Sequence, residues 1–236
     1  MNIKINIKIF ALIALFYLTK QIEIYALFMI FAFIHELAHL LCGILLGLKP
    51  QSLKIMPMGL CVEFRTKPED YNKKIKKSNL LSIKKLIIAT AGPVLNLIIA
   101  IIFTTQNIHI FNISSEHIIY TNLLLAIFNL MPIYPLDGGR ILKNFIRIYW
   151  GQQKAIKYTN TISNVIAILI TAISSIAIMY YKNIAIFLVI IYLWIIVIRE
   201  NKRYNLKSKI YQIIEKEKEL EYVKKYSETL YNNYKA

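Results

Sequence analysis

The chain has 236 residues, 57% of them hydrophobic, and a formal net charge of +16. Its apolar residues come in long blocks, not periodic stripes, which excludes an ordinary soluble domain and points to membrane spans of about 20 residues each. The positive charge lies in particular loops and at the C-terminal end and forms no compact basic face, so it suits anionic lipid headgroups and membrane orientation, and nucleic acid is not an expected partner.

Taken in chain order, six apolar segments stand out: about Ile5–Leu18, Ile22–Leu48, Leu86–Phe103, a fourth from near Ile118 that breaks at Pro132 and Pro135, Thr159–Tyr181, and Ile184–Ile198. The first and last are short for a span and call for tilt or local thinning of the bilayer. Lys4 and Lys8 precede the first segment without a small-residue cleavage site, so a retained helix is expected there. Cys42 and Cys61 form no CxxC pair and read as two small, mostly buried thiols.

Basic residues assign the sides of the membrane. Lys49–Lys85 holds ten Lys or Arg, Thr104–His117 none, Arg140–Lys157 five, and the tail from Arg199 ten. Six spans with both termini in the cytoplasm satisfy this pattern. Within the first basic loop, Ser52, Lys54 and Met56 alternate with Leu53, Ile55 and Pro57. With Gly59 at a turn, that stretch is expected to make a short β-hairpin at the membrane edge. Thr66–Lys85 reads as an exposed cytoplasmic loop. The expected fold is an all-α polytopic membrane protein of about six transmembrane helices with a broken fourth. Its membrane domain is residues 1–198 (core 22–147), followed by a charged helical tail, 199–236.

The second segment contains His35-Glu36-Leu37-Ala38-His39. Residues four apart share a helix face, so the two imidazoles can bind one zinc ion while Glu36 serves as general base for a water that the metal activates. Two His and a Glu inside an apolar span are costly unless they have partners or a watery cavity. The plainer reading, mutual polar glue between helices, leaves the next motif unexplained. That motif is Asn129-Leu-Met-Pro132-Ile-Tyr-Pro135-Leu-Asp137-Gly138-Gly139-Arg140. Its prolines and glycines forbid a regular helix, and broken backbone at membrane depth survives only against protein or a cavity. Asp137 is therefore the expected third ligand, although the segment alone would pass for a turn capping the next helix. His39 lies about nine residues, roughly 14 Å, from the cytoplasmic end of its segment, and Asp137 lies near the cytoplasmic end of its own, so the two can meet. Ala91-Gly92-Pro93-Val94-Leu95-Asn96 reads as scaffold, with small residues for close contact and the Asn96 amide for hydrogen bonding. Asn129 holds either a neighbouring helix or a substrate backbone. His109 and His117 fall on the other side and read as surface residues.

Together, over about Ile22–Arg147, the HExxH helix, the Gly-Pro-x-x-Asn helix and the Asn…Pro…Pro-Leu-Asp-Gly-Gly segment resemble the site-2 protease family of intramembrane metalloproteases (peptidase M50). The six-span arrangement looks most like its sporulation branch, the stage IV sporulation protein FB type. The resemblance implies one zinc per chain held by His35, His39 and Asp137, with Glu36 as base and Asn129, Pro135 and Asn96 as substrate-holding or scaffold positions. It also implies regulated intramembrane proteolysis of a membrane-associated protein, in that branch a sigma-factor precursor, and membrane regulator or inhibitor proteins as partners. That branch often carries a C-terminal CBS domain. The 38 residues after Ile198 are too few for one, so nucleotide regulation is not expected, and no PDZ domain is read. The rival readings are a membrane metal transporter or sensor, which has no need of Glu36, and an inactive membrane scaffold.

Overall fold

The computed structural model describes residues 2–5, 22–56, 59–65, 75–106, 114–181 and 184–235. Most of the first apolar segment, Pro57, the start of the Thr66–Lys85 loop and His109 lie outside them. The elements in order are β1 (Asn2–Ile5), α1 (Ile22–Leu45), β2 (Lys49–Met56), β3 (Gly59–Arg65), α2 (Ile75–Gln106), α3 (Ser115–Leu130), α4 (Asp137–Tyr181) and α5 (Ile184–Lys235). Three described helices are long and apolar enough to cross a membrane, over Tyr25–Leu45, Asn79–Thr105 and Asp137–Ser175. The chain divides into two compact units, Met1–Ile166 and Ala167–Ala236.

In the first unit, the burial pattern of the helices is that of a protein dissolved in lipid. On α2, Ala89, Gly92, Asn96 and Ala100 are buried, one or two turns apart on a single face. The large apolar side chains Ile87, Val94, Ile98 and Ile101 are exposed. α1 repeats this, with Ala32, His35, His39 and Gly43 inside and Phe33, Leu41, Ile44 and Leu45 outside. Small and polar residues at helix contacts, with aliphatic residues facing outward, are the reverse of a water-soluble helix.

α1 and α2 run antiparallel. Lys84 Nζ donates to the Leu46 carbonyl at 2.7 Å, and four residues further along α2 His39 meets Ile88, about two turns back along α1. α3 closes the group through a core of Leu27, Phe31 and Ala32 from α1 with Ile118 and Leu125 from α3, flanked by Ile99 and Phe103 of α2. α1 ends in a glycine cap. Gly47 takes φ +78°, the Leu48 N–H reaches the Gly43 carbonyl at 2.9 Å, and the Gly47 N–H reaches Ile44 at 2.8 Å. The chain then enters β2.

The three strands form one sheet in the order β1-β2-β3. β1 pairs parallel to β2 (Asn2↔Ser52 to Ile5↔Ile55). β2 pairs antiparallel to β3 (Lys49↔Arg65 to Met56↔Gly59), and the register slips between Pro50 and Ser52, where proline has no N–H to give the ladder. The sheet is held against α1 because Gly43 leaves room for the Phe64 ring. A Cβ there would overlap that ring.

α4 begins at Asp137 and includes the basic stretch from Arg140. It is interrupted at Gly151, whose φ of 81° and ψ of 174° no helix accommodates. In the second unit, Trp194 Nε1 of α5 donates to Thr171 Oγ1 of α4 at 2.9 Å, and Ile190, Leu193 and Val197 are buried. Beyond Leu206 the described side chains of α5 are mostly exposed.

Candidate metal centre

His35 and His39, one turn apart on α1, turn their Nε2 atoms toward each other at 3.1 Å. Asp137, the first residue of α4, places Oδ2 against both, 2.9 Å from His35 Nε2 and 3.0 Å from His39 Nε2. All three residues are buried, at 3%, 3% and 4% exposure. Two imidazole nitrogens and a carboxylate oxygen therefore make a triangle with edges near 3 Å.

Hydrogen bonds cannot satisfy that triangle. His39 Nδ1 lies 2.6 Å from the Ile88 carbonyl, which only accepts, so Nδ1 carries the ring's proton and Nε2 presents a lone pair. That lone pair faces a carboxylate oxygen and a second imidazole nitrogen. A neutral His35 brings one proton to the three edges, and a protonated His39 relieves only part of the remainder. A cation relieves every edge at once. Tetrahedral ligands about 2.0 Å from one ion stand about 3.3 Å apart, close to the edges seen here. Nitrogen and carboxylate donors with one histidine already tied to a backbone carbonyl are the donor set zinc prefers, with its outer support in place. The residues fit the metal.

The elements that bring these groups together do so for local reasons. Gly92 of α2 lies against both imidazoles. A Cβ on it would stand 2.5 Å from His35 Nε2 and 2.6 Å from His39 Nε2. Asp137 arrives on a loop, Met131–Leu136, that interrupts the helical path after α3. Backbone bonds from Ile133 to Met131 (2.7 Å) and Leu136 to Ile133 (2.8 Å) tighten the loop, and the Tyr134–Pro135 peptide is cis. Gly138 and Gly139 follow because the start of α4 crosses the loop backbone on backbone. A Cβ on Gly138 would collide with the Leu130 and Met131 carbonyls, and one on Gly139 with Ile133 and Tyr134. From α4, Ser163 Oγ accepts the Tyr134 N–H at 2.9 Å and donates to the Thr159 carbonyl at 2.7 Å. Lys143 Nζ sits 4.1 Å above the Tyr134 ring. Arg140 Nη1, 3.5 Å from Asp137 Oδ1, engages the oxygen that the histidines leave.

The remaining sequence-derived positions are placed as follows. Glu36 is half-buried beside His35 on α1. Asn129 does not reach across to another helix, because its Nδ2 donates to Leu125 within α3 at 3.0 Å. Pro135 lies in the Asp137 loop, half-buried. Asn96 is wholly buried, and its amide has no partner among the described residues. His117 is exposed and bonded to Ser114 at 2.6 Å, at the start of α3. Sequence reasoning missed the Ile88 carbonyl, Ser163 and Arg140. Only the last, a cation three residues after the acid, left a signal.

Residues 23–114 and 108–173 match the Peptidase family M50. The chain belongs to that family. A zinc metalloprotease of Methanocaldococcus jannaschii is 28% identical over 141 residues, covering 58% of this chain and 38% of the relative. The chain thus spans well under half the length of that relative. A solved site-2 protease from Methanocaldococcus jannaschii superposes with a TM-score of 0.60 at 23% identity, over 84% of this chain and 89% of that one. The two share a fold.

Proposed function

We propose that this chain is a zinc metalloprotease that hydrolyses peptide bonds of membrane-associated proteins within or at the edge of the bilayer. The observation that carries the reading is the His35–His39–Asp137 triangle, three buried donors whose protons cannot account for their closeness. Membership of the M50 family supports it.

His35, His39 and Asp137 would hold a single zinc ion, which when bound supplies Lewis acidity toward water and toward the scissile carbonyl. The protein's own work is done around it. The carboxylate of Glu36, one residue from His35 on the same helix, takes the proton of the attacking water and returns it to the leaving amine. His39 is fixed in one tautomer by the Ile88 carbonyl, so its ring does not compete for that proton. Arg140 holds Asp137 Oδ1 and so leaves Oδ2 to the imidazoles. A substrate helix must unwind before its carbonyls are accessible. The sheet, docked on α1 through Phe64, offers the outer edge of β3, on which the extended segment can pair, β2 being paired on both sides.

In this reading the chain crosses the membrane six times with both termini in the cytoplasm, and lipid and membrane regulators are its partners. A membrane-tethered sigma-factor precursor is the first substrate to test. The experiment is co-expression with a panel of tethered precursors, with zinc content measured on the purified protein. The Glu36→Gln variant should keep one zinc per chain and lose cleavage, and His39→Ala should lose both. Full cleavage by Glu36→Gln refutes the base assignment. Zinc binding with no cleavage of any substrate favours a transporter, a sensor or an inactive scaffold.

A further inference from the structure

Among the described residues, four buried polar atoms of α1, α2 and α3 lack a hydrogen-bond partner: His35 Nδ1, both amide atoms of Asn96, and Asn122 Oδ1. Asn96 and Asn122 are each fully buried, at 0% exposure. Orphaned amides at such depth are rare, and three side chains of this kind in one small region call for an account.

The helix register puts them on neighbouring turns. Along the antiparallel α1–α2 contact, His39 is level with Ile88 and His35 with Gly92. The next turn of α2 on that face is Asn96. The Gly92 Cβ direction also meets His35 Cε1 at 2.7 Å. The Nε2–Cε1 edge of the ring therefore faces Gly92, and Nδ1 is one bond beyond it. On α3, Asn122 sits between Ile118 and Leu125 on the buried face, in the core layer that contains Phe31 and Ala32 of α1 and is flanked by Ile99 of α2. That layer is one turn before His35 and one turn after Asn96.

The protons also match. If His35 Nε2 gives its lone pair to a metal, its Nδ1 must carry the hydrogen, and that buried N–H needs an acceptor. Asn96 Oδ1 is one. The Asn96 Nδ2 then needs an acceptor, and Asn122 Oδ1 is one, because the Asn122 Nδ2 is already committed to the Ile118 carbonyl at 2.9 Å. Donors and acceptors close in one direction only, outward from the metal site.

We infer that Asn96 is a positioning residue of the metal centre, accepting from His35 Nδ1–H and donating to Asn122 Oδ1 through ordered water or after a small side-chain rotation, since none of these atoms is bonded to another as the structure stands. It does for His35 what the Ile88 carbonyl does for His39, holding the ring's tautomer and its angle toward the ion. The difference is that this support comes from a side chain and can be removed by mutation. The inference rests on the metal-centre reading and assigns no further catalytic step to Asn96.

The test is metal affinity of the full chain in detergent, stripped with chelator and titrated with Co²⁺ in competition with a chromophoric chelator. Asn96→Leu, close in size but without polar atoms, should weaken binding by about 10–100-fold. Asn96→Asp keeps the acceptor toward His35 but gives up the donor toward Asn122, so its loss should be clearly smaller than that of Asn96→Leu. Asn122→Leu, one step removed, should also lose less than Asn96→Leu. Equal affinity for Asn96→Leu and the unmodified protein overturns the inference, as does an Asn96→Asp loss equal to that of Asn96→Leu, which would show that acceptance from His35 contributes nothing. Should the leucine variant fail to fold, the unmodified protein still decides. With ¹⁵N-histidine labelling, only four histidines contribute, and the Zn²⁺-loaded chain should show two slowly exchanging Nδ1–H signals. A single one, lost on His39→Ala, overturns the relay. If the unmodified chain takes up no metal at all, the centre itself is refuted, a result distinct from a relay that fails in a metal-binding protein.

Discussion

Gly92→Ala adds one methyl group at the wall of the proposed metal site, and its effect can be worked from the structure. In the middle of a helix this change normally stabilises by roughly 0.5–1 kcal/mol, since alanine is the better helix former. Here the new carbon would lie 2.5 Å from His35 Nε2 and 2.6 Å from His39 Nε2. Both imidazoles must retreat by about 1 Å to regain an ordinary van der Waals contact. They cannot do so independently, because His39 is tied to Ile88 at 2.6 Å and both rings face one carboxylate oxygen. Metal–ligand distances tolerate only about 0.2 Å. The expected result is a protein whose fold is as heat-resistant in detergent as the unmodified chain when both are metal-free, but whose metal affinity is lower by about 100-fold, equivalent to about 2.7 kcal/mol. Chelator-competition titration with Co²⁺ measures the affinity, and a thermal melt of the stripped proteins supplies the control. A Gly92→Ala variant with unmodified affinity would show that the imidazoles do not act as paired ligands at this wall. A variant that melts much earlier even when stripped would show that the glycine serves helix packing instead.

Two further substitutions test how the carboxylate is delivered. Ser163→Ala leaves the Tyr134 N–H without its acceptor, which for a half-buried backbone donor costs about 1–3 kcal/mol, and the loop bearing Asp137 loosens. A lower melting temperature with a several-fold weaker metal affinity is expected, and unchanged values for both would remove Ser163 from the account. Gly138→Ala forces a methyl group onto the Leu130 and Met131 carbonyls, neither of which can move without the loop. Overpacking of this kind costs about 1–3 kcal/mol, so zinc content should fall in the purified protein, and full zinc occupancy with a normal melt would mean that the crossing is looser than it looks.

The chemistry of the centre was legible in the sequence because its carriers are rare in this chain. Two histidines four apart with a glutamate between them, in an apolar run, have few other uses, and Pro132 and Pro135 break the helical path before Asp137, although Asp137, Gly138 and Gly139 themselves open α4. The structure gives the two glycines a reason that sequence could not supply, since α4 crosses its own approach loop with backbone against backbone. Gly92 was read as a residue that lets helices approach, yet what it admits is the pair of imidazole rings. The Ile88 carbonyl was beyond reach, because every residue carries a carbonyl and only the α1–α2 register selects one. Ser163 was hidden for a related reason. It is one of three serines in α4, and like Ser175 it also bonds back to its own turn.

The span assignments met a different limit. Hydropathy finds a stretch that lipid will accept, but in this fold the aliphatic residues that produce the signal point outward, as Ile98 and Ile101 do on α2 and Leu124 and Ile127 on α3. They say that a helix is wetted by lipid and nothing about which helix it touches. That information is carried by the few residues that weaken the signal: Gly92 and Asn96 on α2, His35 and His39 on α1, Asn122 on α3. α3 shows the consequence, since its helix has 16 residues and ends in the prolines that deliver Asp137, so the feature that makes it a poor span by length is the one that builds the site. In such a chain, the residues least favourable for crossing the membrane are therefore the ones to read first for function, and here His35, His39 and Gly92 meet at one triangle of donors.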